Sequence, residues 1–162
     1  MLNRSKFSIF LAFFFALNLT ACAMPQQAPG LSPFTTDGCS NFPDHALIGK
    51  ADWHNCCVVH DLAYWRGGTA DERLKADEGL KACVHKATQN GVLASLMYEG
   101  VRLGGGAYFY TSYRWAYGWP YGRGYQALTK EEDEQAKTLA SIFLKANPQL
   151  LCVLEGTACK AP

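Results

Sequence analysis

One nine-residue run concentrates the chemistry available to this chain: Cys56-Cys57-Val58-Val59-His60-Asp61-Leu62-Ala63-Tyr64. It packs two adjacent cysteines, an imidazole and a carboxylate into six residues. On a helix, Cys56, His60 and Tyr64 fall at i, i+4 and i+8 and share one face. Cys57 and Asp61 make a second i, i+4 pair beside them. Two thiols that can cross-link elsewhere would pin the start of such a helix. The imidazole is then a general base on a fixed support, and the carboxylate next to it is a ligand for a hard cation. The alternative is a disulfide-pinned helix whose His and Asp only satisfy local hydrogen bonds.

Composition narrows the setting. Arg4 and Lys6 precede an apolar run from Phe7 to Leu19, which ends in Leu19-Thr20-Ala21-Cys22. A basic start, a short apolar core and small residues before a cut describe a secretory signal over residues 1–21. The run is too short for a good membrane span, and Pro25 and Pro29 follow it closely. Leu, small, small, Cys resembles the lipobox of bacterial lipoproteins. That resemblance implies cleavage before Cys22, a lipid on its thiol and, with no Asp after the cysteine, an exported protein anchored at the outer membrane. An ordinary signal peptide cut after Ala21 or Ala23 is the other reading. Removing residues 1–21 takes two of the 15 basic residues and none of the 14 acidic ones, so net charge turns slightly negative. That balance gives no electrostatic footprint for nucleic acid. Of seven cysteines, six remain if Cys22 is lipidated, an even set that reads as three disulfides in an oxidising compartment. Zinc fits poorly, because adjacent cysteines chelate badly and no Cys-x-x-Cys occurs.

The elements that must hold the central run follow from turn and cap signals. Residues 22–33, with their prolines and glutamines, read as a flexible tether, and the folded domain as residues 34–162. Thr35 to Asp44 is a turn-rich loop whose Asp, Asn, Ser and Gly also offer oxygen ligands. The central helix spans residues 51–65, and Gly67-Gly68 stops it. Thr69 and Glu72 form a capping box that opens a second helix reaching Thr88. Arg73, Asp77, Leu80 and Val84 share one side of it, and a carboxylate buried there needs a partner. A third helix covers residues 91–103. A stretch rich in Gly and aromatics follows, to Tyr125, and admits three readings: a lipid-contacting surface, the wall of an acyl-chain pocket, or an irregular layer over the helices. Arg102, Arg114 and Arg123 read as hydrogen-bonding spacers in that stretch, and His45, His54 and His85 as surface or structural histidines. Thr129 and Glu132 open a last long helix that ends near Ala146, before Pro148. No nucleotide-binding glycine motif and no serine-hydrolase elbow occur.

Cys-Cys-x-x-His-Asp with Tyr four residues after the His resembles the active-site helix of the secreted phospholipase A2 family. Asp37-Gly38-Cys39 resembles the calcium loop of its small bacterial and fungal members. Asp77 followed six residues later by Cys83 resembles the second helix of the animal enzymes. The resemblance covers roughly residues 35–88. It implies a mainly α fold: a disulfide-linked antiparallel two-helix core of phospholipase A2 type, with extra C-terminal helices and the irregular Gly/aromatic-rich segment. It implies His60 as general base, Asp77 as the carboxylate that orients it, and Tyr64 hydrogen-bonded to Asp77. It implies Ca²⁺ held by the Asp37 and Asp61 side chains and the Gly38 carbonyl, and disulfides Cys39–Cys57 and Cys56–Cys83, which leaves Cys152–Cys159 by exclusion. The implied activity is calcium-dependent hydrolysis of the sn-2 acyl ester of a phospholipid, with a membrane surface as partner. A lipid-anchored binding or envelope-structure protein on the same scaffold is the alternative. The glycine-rich calcium loop and the amphipathic N-terminal helix of the animal enzymes have no counterpart here.

Overall fold

A computed structural model describes residues 30–40, 42–45 and 52–155. The signal-like segment, Cys22, the tether as far as residue 29, and Cys159 lie outside the described residues. The chain is mainly helical. The elements are α1 (His54–Arg66), α2 (Ala70–Thr88), α3 (Gly91–Gly104), α4 (Lys130–Ala146) and, after a 3₁₀ turn at Pro148–Leu150, α5 (Leu151–Leu154). Among the described residues no helix is long and apolar enough to cross a membrane.

The helix starts have local causes. The Thr69 and Thr129 capping boxes both form, each hydroxyl accepting from the backbone three residues on and each Glu answering the cap residue's own N–H. Asn90 caps α3 by accepting from the Val92 and Leu93 amides. These satisfy donors that a helix start otherwise leaves unpaired, worth about 1 kcal/mol each. The start of α1 is displaced from the expected residue 51 to His54. The Trp53 indole donates to the Pro43 carbonyl at 2.7 Å, and the Trp53 amide donates to the Asp44 carbonyl at 3.1 Å. Those bonds hold Trp53 off the helix, and the Asp52 carboxylate accepts from the first helical amide, that of His54.

Short connections fold α2 back along α1 and α3 back along α2. The cross-links give the direction. Cys56, early in α1, is bonded to Cys83, late in α2. Tyr64, late in α1, meets Arg73, early in α2. Arg73 in turn donates to the carbonyls of Val101 and Arg102 at the end of α3. Both pairs are therefore antiparallel. Cys39–Cys57 ties the preceding loop to the same end of α1. Cys152 is also disulfide-bonded, but its expected partner Cys159 is not among the described residues.

Two apolar clusters flank α1. One lies toward α2 and α3 and contains Leu80, Val84, Ala94 and Met97 with both disulfides. The other lies toward α4 and the chain before α1, and contains Phe34, Val58, Trp65, Trp115, Trp119 and Ala136. Leu31 is buried in this second cluster, and the Ser32 carbonyl accepts from the Trp65 indole at 2.7 Å. Among the described residues, packing thus includes Leu31, which composition alone places in the tether.

The Gly/aromatic segment divides in two. Its later part is a covering layer with a definite task, which is to satisfy the open carbonyls at the end of α1. The Ala116 amide donates to the Tyr64 carbonyl, the Gly118 amide to that of Trp65, and the Trp119 indole to that of Arg66. Its earlier part leaves Tyr108, Phe109 and Tyr110 exposed.

In the chain-entropy account the Cys56–Cys83 bridge restrains the unfolded chain by about 3–4 kcal/mol. The paired substitutions Cys56→Ala and Cys83→Ala should lower unfolding free energy by that order in a urea titration. A change below ~1 kcal/mol would show that helix packing alone holds α1 against α2.

Candidate active site

His60, Tyr64 and Asp77 come together, the arrangement that the resemblance implies. The turn spacing of α1 puts the His60 and Tyr64 rings side by side, 4.2 Å between centroids. Asp77, from α2, lies beneath them with no solvent exposure. His60 Nε2 is 2.8 Å from Asp77 Oδ1, and the Tyr64 hydroxyl donates to the same oxygen at 2.8 Å. A carboxylate only accepts, so Nε2 carries a proton, and in the neutral imidazole the lone pair is then on Nδ1.

The other carboxylate oxygen is held by a residue that sequence reasoning placed elsewhere. Arg102 Nη1 donates to Asp77 Oδ2 at 2.6 Å. Arg102 is therefore not a spacer in the aromatic layer but the counter-ion of Asp77. Its position is the last turn of α3, where no local pattern links it to a residue 25 positions earlier. Arg114 and Arg123 do act as spacers, the first on the Trp119 carbonyl and the second paired with Glu132. Arg73 completes the shell. Its Nε donates to the Tyr64 hydroxyl at 3.0 Å, its Nη2 to two α3 carbonyls, and its Nη1 to the Tyr125 hydroxyl. The i, i+4 spacing of Arg73 and Asp77 was its sequence signal.

Electrostatics follow from these contacts. Burial by itself pushes the Asp77 carboxyl up, but the hydrogen bonds from His60, Arg102 and Tyr64 outweigh it and hold the group below its usual value. Asp77 is thus an anion with its bonds filled. Burial raises the Tyr64 phenol well above its usual range, and the adjacent Asp77 charge adds to this, so Tyr64 stays a neutral donor. The triad sits on a cleft of about 230 Å³ lined by His60, Asp61, Leu80, Met97, Val101 and Tyr113. Gly38 and Ser40 close one side of it. At Gly105, another lining residue, a Cβ would stand 2.5 Å from the Tyr64 ring. Close packing there keeps Tyr64 on Asp77.

The loop residues named for Ca²⁺ gather in part. Asp61 lines both this cleft and a side cleft that it shares with Asp37. Asp61 Oδ2 accepts from the Thr36 hydroxyl at 2.6 Å, and Asp37 Oδ1 accepts from the Ser40 hydroxyl at 2.8 Å. Gly38 has φ +77°, and a Cβ there would meet the Asp44 carboxylate at 2.7 Å, so the turn demands glycine. Asp44 is fixed by the Cys39 amide and by His54, 3.4 Å away. His54, read from the sequence as a surface or structural histidine, is exposed and borders this loop through Asp44. Burial raises the Asp61 carboxyl to about 7; the Thr36 bond and His54 oppose this, while the Asp37 and Asp44 charges add to it. Carboxylate oxygens crowded in this way, with His54 beside them, are the donor type that a hard cation takes. Among the described residues no group of three or more Asp, Glu, His or Cys side chains forms a metal-sized cluster. A cation here must also draw on carbonyls such as that of Gly38 and on water.

Compared with family models, characterised proteins and solved structures, the chain matches none.

The raised Asp61 group sets a pH dependence. Its folded value of about 7 exceeds the ordinary 3.8. The folded chain holds a proton that the unfolded chain has lost, so the stabilisation is full below the ordinary value and is lost as pH rises through 7. In chelator, Tm should fall between about pH 4 and about pH 7.5, and Asp61→Asn should flatten that fall. An equally steep fall in the variant would show that Asp61 is not its source.

Proposed function

We propose that this chain is a hydrolase of phospholipid acyl esters that uses water activated by His60, on a protein exported and anchored by lipid at Cys22. The observation that carries this reading is the His60 Nε2–Asp77 Oδ1 hydrogen bond of 2.8 Å at the wall of a cleft with an apolar lining. The motif Cys56-Cys57-Val58-Val59-His60-Asp61 and the two disulfides in the implied pairing support a core of phospholipase A2 type.

The residues divide the work as follows. With Nε2 tied to Asp77, His60 Nδ1 takes the proton from a water that attacks the ester carbonyl. The imidazolium that forms is stabilised by the Asp77 anion, which keeps its own charge because Arg102 and Tyr64 hold it. Microscopic reversal returns the proton from Nδ1 to the departing alkoxide oxygen. Leu80, Met97 and Val101 would give the acyl chain an apolar wall. Asp61, Asp37 and the Gly38 carbonyl would hold Ca²⁺, which when bound would polarise the ester carbonyl and offset the charge that develops on its oxygen. No step requires a covalent acyl-enzyme.

Fatty-acid release from phospholipid–detergent micelles tests the reading. The mature protein should release the sn-2 chain in Ca²⁺ and lose that activity in chelator. His60→Gln and Asp77→Asn should each lower kcat by on the order of 10²- to 10⁴-fold without loss of helical circular dichroism. Undiminished release by His60→Gln would remove the histidine from the mechanism. Silence of the wild type toward phospholipids, with Ca²⁺ bound, would favour the non-catalytic lipid-binding alternative.

A further inference from the structure

Next to the side cleft of Asp37 and Asp61 lies a further concavity that the proposed chemistry does not use. It encloses about 280 Å³ and is lined by Tyr110, Thr111, Ser112, Arg114 and Tyr121. Arg114 is only 7% exposed. Its one described hydrogen bond runs from Nη2 to the Trp119 carbonyl at 2.7 Å. No carboxylate among the described residues pairs with it, in contrast to Arg66, Arg73, Arg102 and Arg123. The Tyr121 ring, 5.6 Å from the guanidinium carbon, covers one side of it. The Thr111 hydroxyl is a second open position: it is buried and has no hydrogen-bond partner.

Both features are costly unless something completes them. A buried cation is normally paired with an anion. A buried hydroxyl without a partner forfeits its hydration with nothing in return. One ligand class answers both, an anion with several acceptor oxygens. Location selects among such anions. Ser112 lines this concavity and also the side cleft of Asp37 and Asp61, and Tyr113 joins that side cleft to the His60 cleft. The side cleft thus shares lining residues with both the His60 cleft and the Arg114 concavity.

We propose that Arg114, Thr111 and Ser112 form a phosphate-binding subsite, which takes the phosphate of a phospholipid headgroup while His60 faces its acyl ester. The guanidinium supplies charge-assisted donors that match phosphate oxygens, and the hydroxyls supply neutral ones. The lipid role rests on the proposed hydrolysis; the anion site itself rests on the side chains above.

Two variants test this. Arg114→Gln keeps a polar, hydrogen-bonding side chain but removes the charge. Thr111→Val keeps the shape and removes the unpaired hydroxyl, so a purely structural residue at this position would tolerate it or gain stability. Binding is read by co-sedimentation with phosphatidylcholine vesicles in chelator, with inorganic phosphate as competitor, and by isothermal calorimetry with inorganic phosphate alone. Arg114→Gln should weaken vesicle binding about tenfold or more. Thr111→Val should weaken it to a lesser degree while Tm is held or raised. Competition by millimolar inorganic phosphate would show that the site takes the anion from either source. Vesicle binding without such competition, but still lost in Arg114→Gln, would restrict it to the headgroup. Wild-type binding of both probes by both variants, or no binding of either probe by the wild type, would overturn the proposal. His60→Gln separates the two readings, because it should abolish ester cleavage yet leave binding to vesicles and phosphate intact.

Discussion

A carboxylate with no access to water organises this structure. Placing Asp77 inside three helices costs several kcal/mol unless its oxygens are filled. Oδ1 takes His60 and Tyr64 from α1, and Oδ2 takes Arg102 from α3. The anion therefore joins α1, α2 and α3 at one point, and each helix must be in register for the bonds to form. Arg73 extends the same network: it braces the Tyr64 hydroxyl and closes the carbonyls at the end of α3, where a cation also suits the helix dipole. A fully satisfied buried polar network of this kind fixes one arrangement rather than merely adding stability.

Everything else keeps that register. Disulfides at Cys56 and Cys57 hold the start of α1 to α2 and to the preceding loop. At the other end of α1, Ala116, Gly118 and Trp119 complete its carbonyls. Apolar clusters press on both sides of the helix. The imidazole that results is positioned from below and open above, next to an Asp61 carboxyl that burial holds near neutrality of charge. A positioned imidazole beside a carboxyl with spare affinity for a cation or a proton is the pairing on which the proposed hydrolysis rests.

Much of this was legible in the chain because it is local. The capping boxes at Thr69 and Thr129, the shared face of Cys56, His60 and Tyr64, and the breaks around Gly67-Gly68 depend on spacings of three or four residues, which sequence displays directly. The disulfide partners of Cys56 and Cys57 came from resemblance, not from spacing. Arg102 was misread because its meaning lies in a contact with another helix, and its own neighbours are aromatic and glycine-rich. Leu31 was lost in a Pro-rich tether because composition outweighed a single apolar residue that Trp65 and Phe34 enclose. The division of residues 105–125 into a buried cover and an exposed aromatic edge depends on where α1 ends in space, which no window of sequence contains.

The central claim is that Asp77 fixes the His60 imidazole with its proton on Nε2 and its lone pair on Nδ1. Nitrogen-15 NMR of the side chain, at a pH where the imidazole is neutral, reads this directly. The account predicts an Nε2–H tautomer in the wild type, with the Nε2 proton shifted downfield by the carboxylate bond, and loss of that shift in Asp77→Asn. A wild-type Nδ1–H tautomer, or an Nε2 proton unaffected by Asp77→Asn, would contradict it and would leave His60 without the orientation that a general base requires.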